Sequence, residues 1–93
     1  MIKEILFQVP HIKLVILENT NYCLLVEDTE LNDFIEDFLV ENDIYIFEVS
    51  IDNKNSLSVY YNYFDGNLEL ENLIDVLRKL EINEIETIFK LNN

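Results

Sequence analysis

Carboxylates are the side chains through which this chain could do chemistry. Glu27, Asp28, Glu30, Asp33, Glu36, Asp37, Glu41 and Asp43 stand within one short stretch that contains no Lys, Arg or His. Such an array can hold a hard cation through oxygen ligands, share a proton as a general acid–base pair, or meet a positively charged surface. Asp33 with Asp37, or Glu36 with Asp37 and Glu41, has the helical spacing for a cation. No loop carries the D-x-[DN]-x-[DN]-G pattern with its closing Glu; Asp52-Asn53-Lys54-Asn55 starts that way and then lacks the Gly and the acid. Acid–base work needs one carboxyl desolvated in a cleft, and helix-face spacing puts these in water. Docking on a basic surface is the expectation that is left, with no metal and no cofactor.

Other reactive groups are sparse. His11 follows Pro10 and has no motif linking it to a nucleophile, which reads as a surface or half-buried structural imidazole. Cys23, between Tyr22 and Leu24 with no nearby cation, reads as a buried small hydrophobe; being alone, it cannot form an intrachain disulfide. A glycine-rich phosphate cradle is excluded, because Gly66 is the one glycine. The chain is therefore expected not to be an enzyme.

The net charge is −13, unevenly placed. Residues 1–26 balance Lys3 and Lys13 against Glu4 and Glu18, and residues 44–93 carry nine acids against Lys54, Arg78, Lys79 and Lys90. Such a field repels nucleic acid and anionic membranes and draws in cationic partners at a rate that falls with salt. Twelve Asn, twelve Ile and no Ala suggest AT-rich coding, which should favour Lys too, yet there are five. Coding bias thus leaves the shortage of positive charge unexplained. Solubility alone would also favour an acidic surface.

Ninety-three residues set one domain spanning 1–93, with a radius of gyration of roughly 12 Å. A hydrophobic fraction of 49% is enough for a core and unlike that of a disordered acidic tail. No apolar run approaches the ~20 residues that span a bilayer, and MIKEILFQVP lacks an h-region with a cleavage site, so the cytoplasm is the expected compartment.

The elements that must position these groups follow from periodicity. Leu31, Phe34, Ile35, Phe38 and Leu39 predict an amphipathic helix over 29–42, capped by Asp28 or Thr29. A second helix is predicted over 68–80, capped by Asn67, with Leu70, Leu73, Ile74, Leu77 and Leu80 inward and Arg78 and Lys79 in its last turn. Strands are predicted at 3–8, 12–18, 22–27, 44–51, 56–64 and 84–91, with turns at 18–21 and 52–55. From residue 22 that order gives two split βαβ units, hence a ferredoxin-like α+β sandwich: an antiparallel sheet with two helices on one face, plus an extra N-terminal strand or hairpin. In the 44–64 hairpin the more apolar alternate set should lie under the helices, leaving Ile44, Ile46 and Tyr60 on an open face.

The first helix works against its own stability. The pairs 30/33, 33/36, 33/37 and 37/41 are like-charged, together costing roughly 1 to 2 kcal/mol at low salt. Glu41 and Asp43 oppose the dipole at the C-terminus, at ~0.3 to 1 kcal/mol each. Locally unfavourable choices are kept where function needs them. The expectation is an acidic inhibitor of a basic protein, such as an immunity protein against a nuclease-type bacterial toxin or a phage-encoded nucleic-acid mimic aimed at a host defence protein. Glu27, Asp28, Glu30, Asp33, Glu36, Asp37, Glu41 and Asp43 would form the interface, with Tyr60 as its aromatic anchor. The competing expectations are a homodimerisation module and, by fold analogy, a small-ligand regulatory domain.

Overall fold

A computed structural model describes residues 2–18, 22–54 and 57–91. The order is β1 (Ile2–Val9), β2 (Ile12–Leu17), β3 (Tyr22–Glu27), α1 (Thr29–Glu41), β4 (Ile46–Lys54), β5 (Leu57–Phe64), α2 (Leu70–Leu77) and α3 (Ile82–Leu91). The fold is α+β: a five-stranded antiparallel sheet in the order β1-β2-β3-β5-β4 with three helices. The predicted turns at 18–21 and 52–55 fall partly outside the described residues, and Asp52 to Lys54 continue β4.

Alternation along each strand decides which face carries the core. Ile12, Leu14, Leu24, Val26 and Phe64 turn to one face and join Leu31, Ile35 and Leu39 of α1, Leu73, Val76 and Leu77 of α2, and Ile85 of α3 in one buried cluster. All three helices therefore share a face. The other face carries, in register across the strands, a row of Ile5, Val15, Cys23, Tyr63 and Glu48, and beside it a row of Gln8, Lys13, Leu25, Tyr61 and Ser50.

The last predicted strand is a helix. Ile82, Ile85, Thr87 and Ile88 are β-branched and read locally as strand, but Ile85, Ile88 and Phe89 recur at helical spacing, and Ile85 reaches the core. Topology decides against the strand. In a ferredoxin-like sheet the final strand pairs beside the first strand of the first unit, here β3, and that edge is already taken by β2. β5 lies between β3 and β4, and the chain ends its described part in α3 and not in a strand, so the sheet is not the expected ferredoxin-like one. In α2 the N-cap is Glu69 with no side-chain bond, while the Asn67 N–H donates to Asp65 Oδ1 at 2.9 Å. Asn67 belongs to the turn and is not a cap.

The 44–64 hairpin faces opposite to expectation. Ile44 is buried, Ile46 and Tyr60 pack against the helix-side core, and Leu57, Val59, Tyr61 and Tyr63 take the open face. Counting apolar residues favoured the other set. What decides is Asn62: its amide donates to the Leu24 carbonyl at 3.0 Å and to Asn32 Oδ1 of α1 at 2.8 Å, both buried. A paired polar residue can occupy the core side, and its strand neighbours at even positions follow it there.

Removing either member of this pair should be costly. Asn62→Ala and Asn32→Ala should each destabilise by ~1 to 3 kcal/mol in urea denaturation, because each strands a buried polar partner. The double variant should cost less than the sum of the two by at least ~0.5 kcal/mol. Simple additivity would show that the bond does not couple α1 to β5.

Candidate functional site

The acidic segment divides in two. Six of its eight carboxylates, Glu30, Asp33, Glu36, Asp37, Glu41 and Asp43, are exposed on or just beyond α1, opposite the buried stripe of Leu31, Ile35 and Leu39. Glu27 and Asp28 leave the array. Asp28 is buried, and its Oδ2 accepts from the Leu31 N–H at 3.2 Å, so it caps α1 as expected. Glu27 ends β3 on the far face of the sheet, with its Oε1 3.0 Å from His11 Nδ1. Tyr60 is half-buried on the helix side, its hydroxyl 2.9 Å from Thr29 Oγ1, so it braces the start of α1 from below.

The end of α1 is held in an unusual way for its sequence. Ile44 N–H donates to the Leu39 carbonyl at 2.9 Å and Asp43 N–H to the Val40 carbonyl at 3.0 Å, the paired bonds of a Schellman cap, and Leu39 and Ile44 are both buried. The residue after the cap must take a left-handed conformation, which glycine does without steric cost. Asp43 takes it instead, at φ 62°. Lys79, distant in sequence, brings one cation here by donating from Nζ to Asn42 Oδ1 at 3.2 Å, which offsets part of the charge that Glu41 and Asp43 pile onto the negative end of the dipole. Among the described residues no ion pair joins a cation to the six exposed carboxylates.

His11 has partners that no local reading could find. Pro10 and His11 form the β1–β2 turn, with His11 at φ 66°. Its ring stacks on Phe89 of α3 at a centroid distance of 3.6 Å and an interplanar angle of 7°, and its Nε2 lies 3.0 Å from Glu86 Oε1. Both ring nitrogens thus face carboxylates, one from β3 and one from α3. Beside it lies a cavity of about 400 Å³ on the open face, with Leu25, Val59 and Tyr61 as its floor and Gln8, Lys13 and Glu27 at its rim. The partners come from β3 and α3, so tertiary folding alone reveals the cluster. Cys23 is fully buried on the same face. Burial pushes its thiol up to about 12, against a smaller lowering by a side-chain hydrogen bond with Tyr63.

Among the described residues, no group of three or more His, Cys, Asp or Glu side chains is placed to hold a metal ion, and no helix is long and apolar enough to cross a membrane. Comparison of the chain with protein-family models, curated proteins and solved structures finds no match.

Two expectations follow. Asp43→Gly should stabilise the chain by ~0.5 to 1.5 kcal/mol, because it removes both the left-handed penalty and a charge at the wrong end of the dipole; an unchanged or lowered midpoint in urea would contradict that account. For Cys23, the folded state keeps the proton to a higher pH than the unfolded state, so its contribution is whole below pH 9 and is lost as pH rises from 9 towards 12. Stability should accordingly fall more steeply over that window in the natural chain than in Cys23→Ala, by up to ~1.4 kcal/mol per pH unit. Thiol reagents at pH 8 should label Cys23 only at the rate of transient opening.

Proposed function

We propose that this chain is an acidic protein-binding inhibitor, acting as an immunity protein that neutralises a basic, nuclease-type bacterial toxin by laying α1 on its cleft. The observation that carries the reading is the outward face of α1. Glu30, Asp33, Glu36, Asp37 and Glu41 are exposed there without ion-pair partners among the described residues, and Val40, 48% exposed, lies among them as an apolar contact point. Mutual repulsion of these charges costs the free chain stability, and a cationic partner relieves that repulsion on binding. Direct nucleic-acid binding and binding to anionic membranes are disfavoured by the same field.

The interface is narrower than the acidic stretch. Glu30, Asp33, Glu36, Asp37, Glu41 and Asp43 carry it, while Glu27, Asp28 and Tyr60 support it from within the fold: one clamps His11, one caps α1 and one braces its first turn. A second reading, assembly of the chain with itself, draws on the exposed apolar side chains of β4, Phe47, Val49 and Ile51. Its mark would be a size that depends on concentration and not on salt.

Neutralising the stripe separates charge from fold. Asp33→Asn, Glu36→Gln and Asp37→Asn together should raise the melting temperature at low salt by a few degrees, since removing ~1 kcal/mol of repulsion shifts a domain of this size by roughly 4 to 8 °C. The same variant should lose a basic nuclease or toxin domain that the natural chain captures from the source cell's lysate at low salt. A lowered melting temperature, or equal capture of that domain by both forms, would remove α1 from the interface.

A further inference from the structure

The sheet has two edges, and the chain protects them unequally. β1 is broken in register between Ile2 and Glu4 and again between Ile5 and Phe7, carries Lys3, and runs into Pro10; bulges, lysines and prolines are the devices that discourage another strand from pairing. β4 has one break, at Phe47, and then runs in regular register from Glu48 to Lys54. Its side chains alternate: Glu48, Ser50 and Asp52 on the open face, Val49 and Ile51 on the helix face.

Beyond Ile46 this strand lies outside the core that the helices cover. α1 stands over β5, held by the Thr29–Tyr60 and Asn32–Asn62 bonds, and Val49 and Ile51, one strand further out, lie outside the core cluster whose face they share. Tyr45 is 64%, Phe47 73%, Val49 41% and Ile51 54% exposed. A long edge strand with apolar side chains in the open is a template for strand addition.

Beside its first residues the open face has a recess of about 470 Å³. Leu17, Phe47, Tyr63 and Phe64 line it, together with Glu48 and Asp65, both exposed. Three aromatic residues, an aliphatic wall and two carboxylates suit a side chain with an apolar stem and a cationic head.

We propose that β4 accepts an extended segment of another protein as a sixth strand, with an arginine or lysine of that segment seated in the recess between Phe47, Tyr63, Glu48 and Asp65. Backbone bonds to the outer edge supply affinity, and alternation supplies selectivity: apolar residues of the segment meet Val49 and Ile51, and cationic ones meet the Glu48 side. A second copy of the chain is the weaker occupant. It brings a charge of −13 of its own, and the two-fold register that lays Val49 against Ile51 also lays Glu48 against Asp52. The surface makes no use of α1, so it stands apart from the inhibitor reading.

The probe is a capped heptapeptide alternating Arg and Val, with a Glu/Val peptide as its control, titrated into the isotopically labelled full chain and followed by NMR. The expected result is saturable binding of the Arg/Val peptide, slowed amide exchange within β4, and shifts at Phe47, Glu48, Tyr63 and Asp65. Glu48→Gln with Asp65→Asn should weaken it by roughly tenfold; Asn keeps the oxygen that Asp65 offers to the Asn67 N–H, so the turn is preserved. Asp33→Asn with Asp37→Asn should change it by less than about twofold at moderate salt. Shifts confined to α1, equal binding of the Glu/Val peptide, or indifference to the Glu48/Asp65 variant would each overturn the proposal. Concentration-dependent protection of β4 in the free chain would overturn it in favour of a second copy.

Discussion

The buried amide of Asn62 is the constraint from which the rest of the architecture follows. A carboxamide in an apolar core is tolerated where its hydrogen bonds are made, and here the amide group finds the Leu24 carbonyl on the neighbouring strand and Asn32 on the helix above. Among the described residues its own Oδ1 has no hydrogen-bond partner, so part of the potential of the group is given up to hold this geometry. A slip of one residue would turn Asn62 outward and bring Tyr61 and Tyr63 beneath the helices, breaking both bonds. With the register pinned, Phe64 and Tyr60 go to the core side and a broad apolar surface is left on the other. The open face owes its character to one polar residue on the closed face.

Much of the chain was legible from spacing alone. β3 begins and ends where the alternation does, α1 differs from its expected span by one residue, and the Asp28 cap could be read from its position before the apolar stripe. These are segments whose local preference and tertiary role agree. Where the reading failed, a distant residue decided the outcome. Residues 84–91 have the β-branched content of a strand, but β2 fills the one place in the sheet where a strand of that topology would pair. The hairpin faces reversed because hydrophobic counting has no means of knowing that Asn62 meets Asn32 thirty positions away. The α+β class and the antiparallel sheet could be read from the order of elements, while the strand order β1-β2-β3-β5-β4 could not.

The candidate site was legible in the same uneven way. Helical spacing located the exposed carboxylates of α1, and their mutual repulsion could be stated from the sequence. That Glu27 and Asp28 serve the fold instead could not be, because one answers to His11 across a strand and the other to the first turn of α1. Lys79 supplies the cation that the stretch lacks, from the end of α2, so local charge counting overstated the strain at the C-terminus of α1. The recess beside Phe47 was invisible for a further reason: a register break turns that ring out of the strand's alternation, and no periodic pattern records a bulge.

His11 bears on how the molecule is assembled in time. The turn that holds it is local, yet its ring stacks on Phe89 and its Nε2 meets Glu86, both on α3. Contacts between the first hairpin and α3 have a long sequence separation, and closing so long a loop is entropically slow. Until α3 docks, the first hairpin therefore carries an unfinished surface around the His11 ring. In this protein α3 acts as a latch on the first hairpin, and what loosens one end of that contact loosens the other.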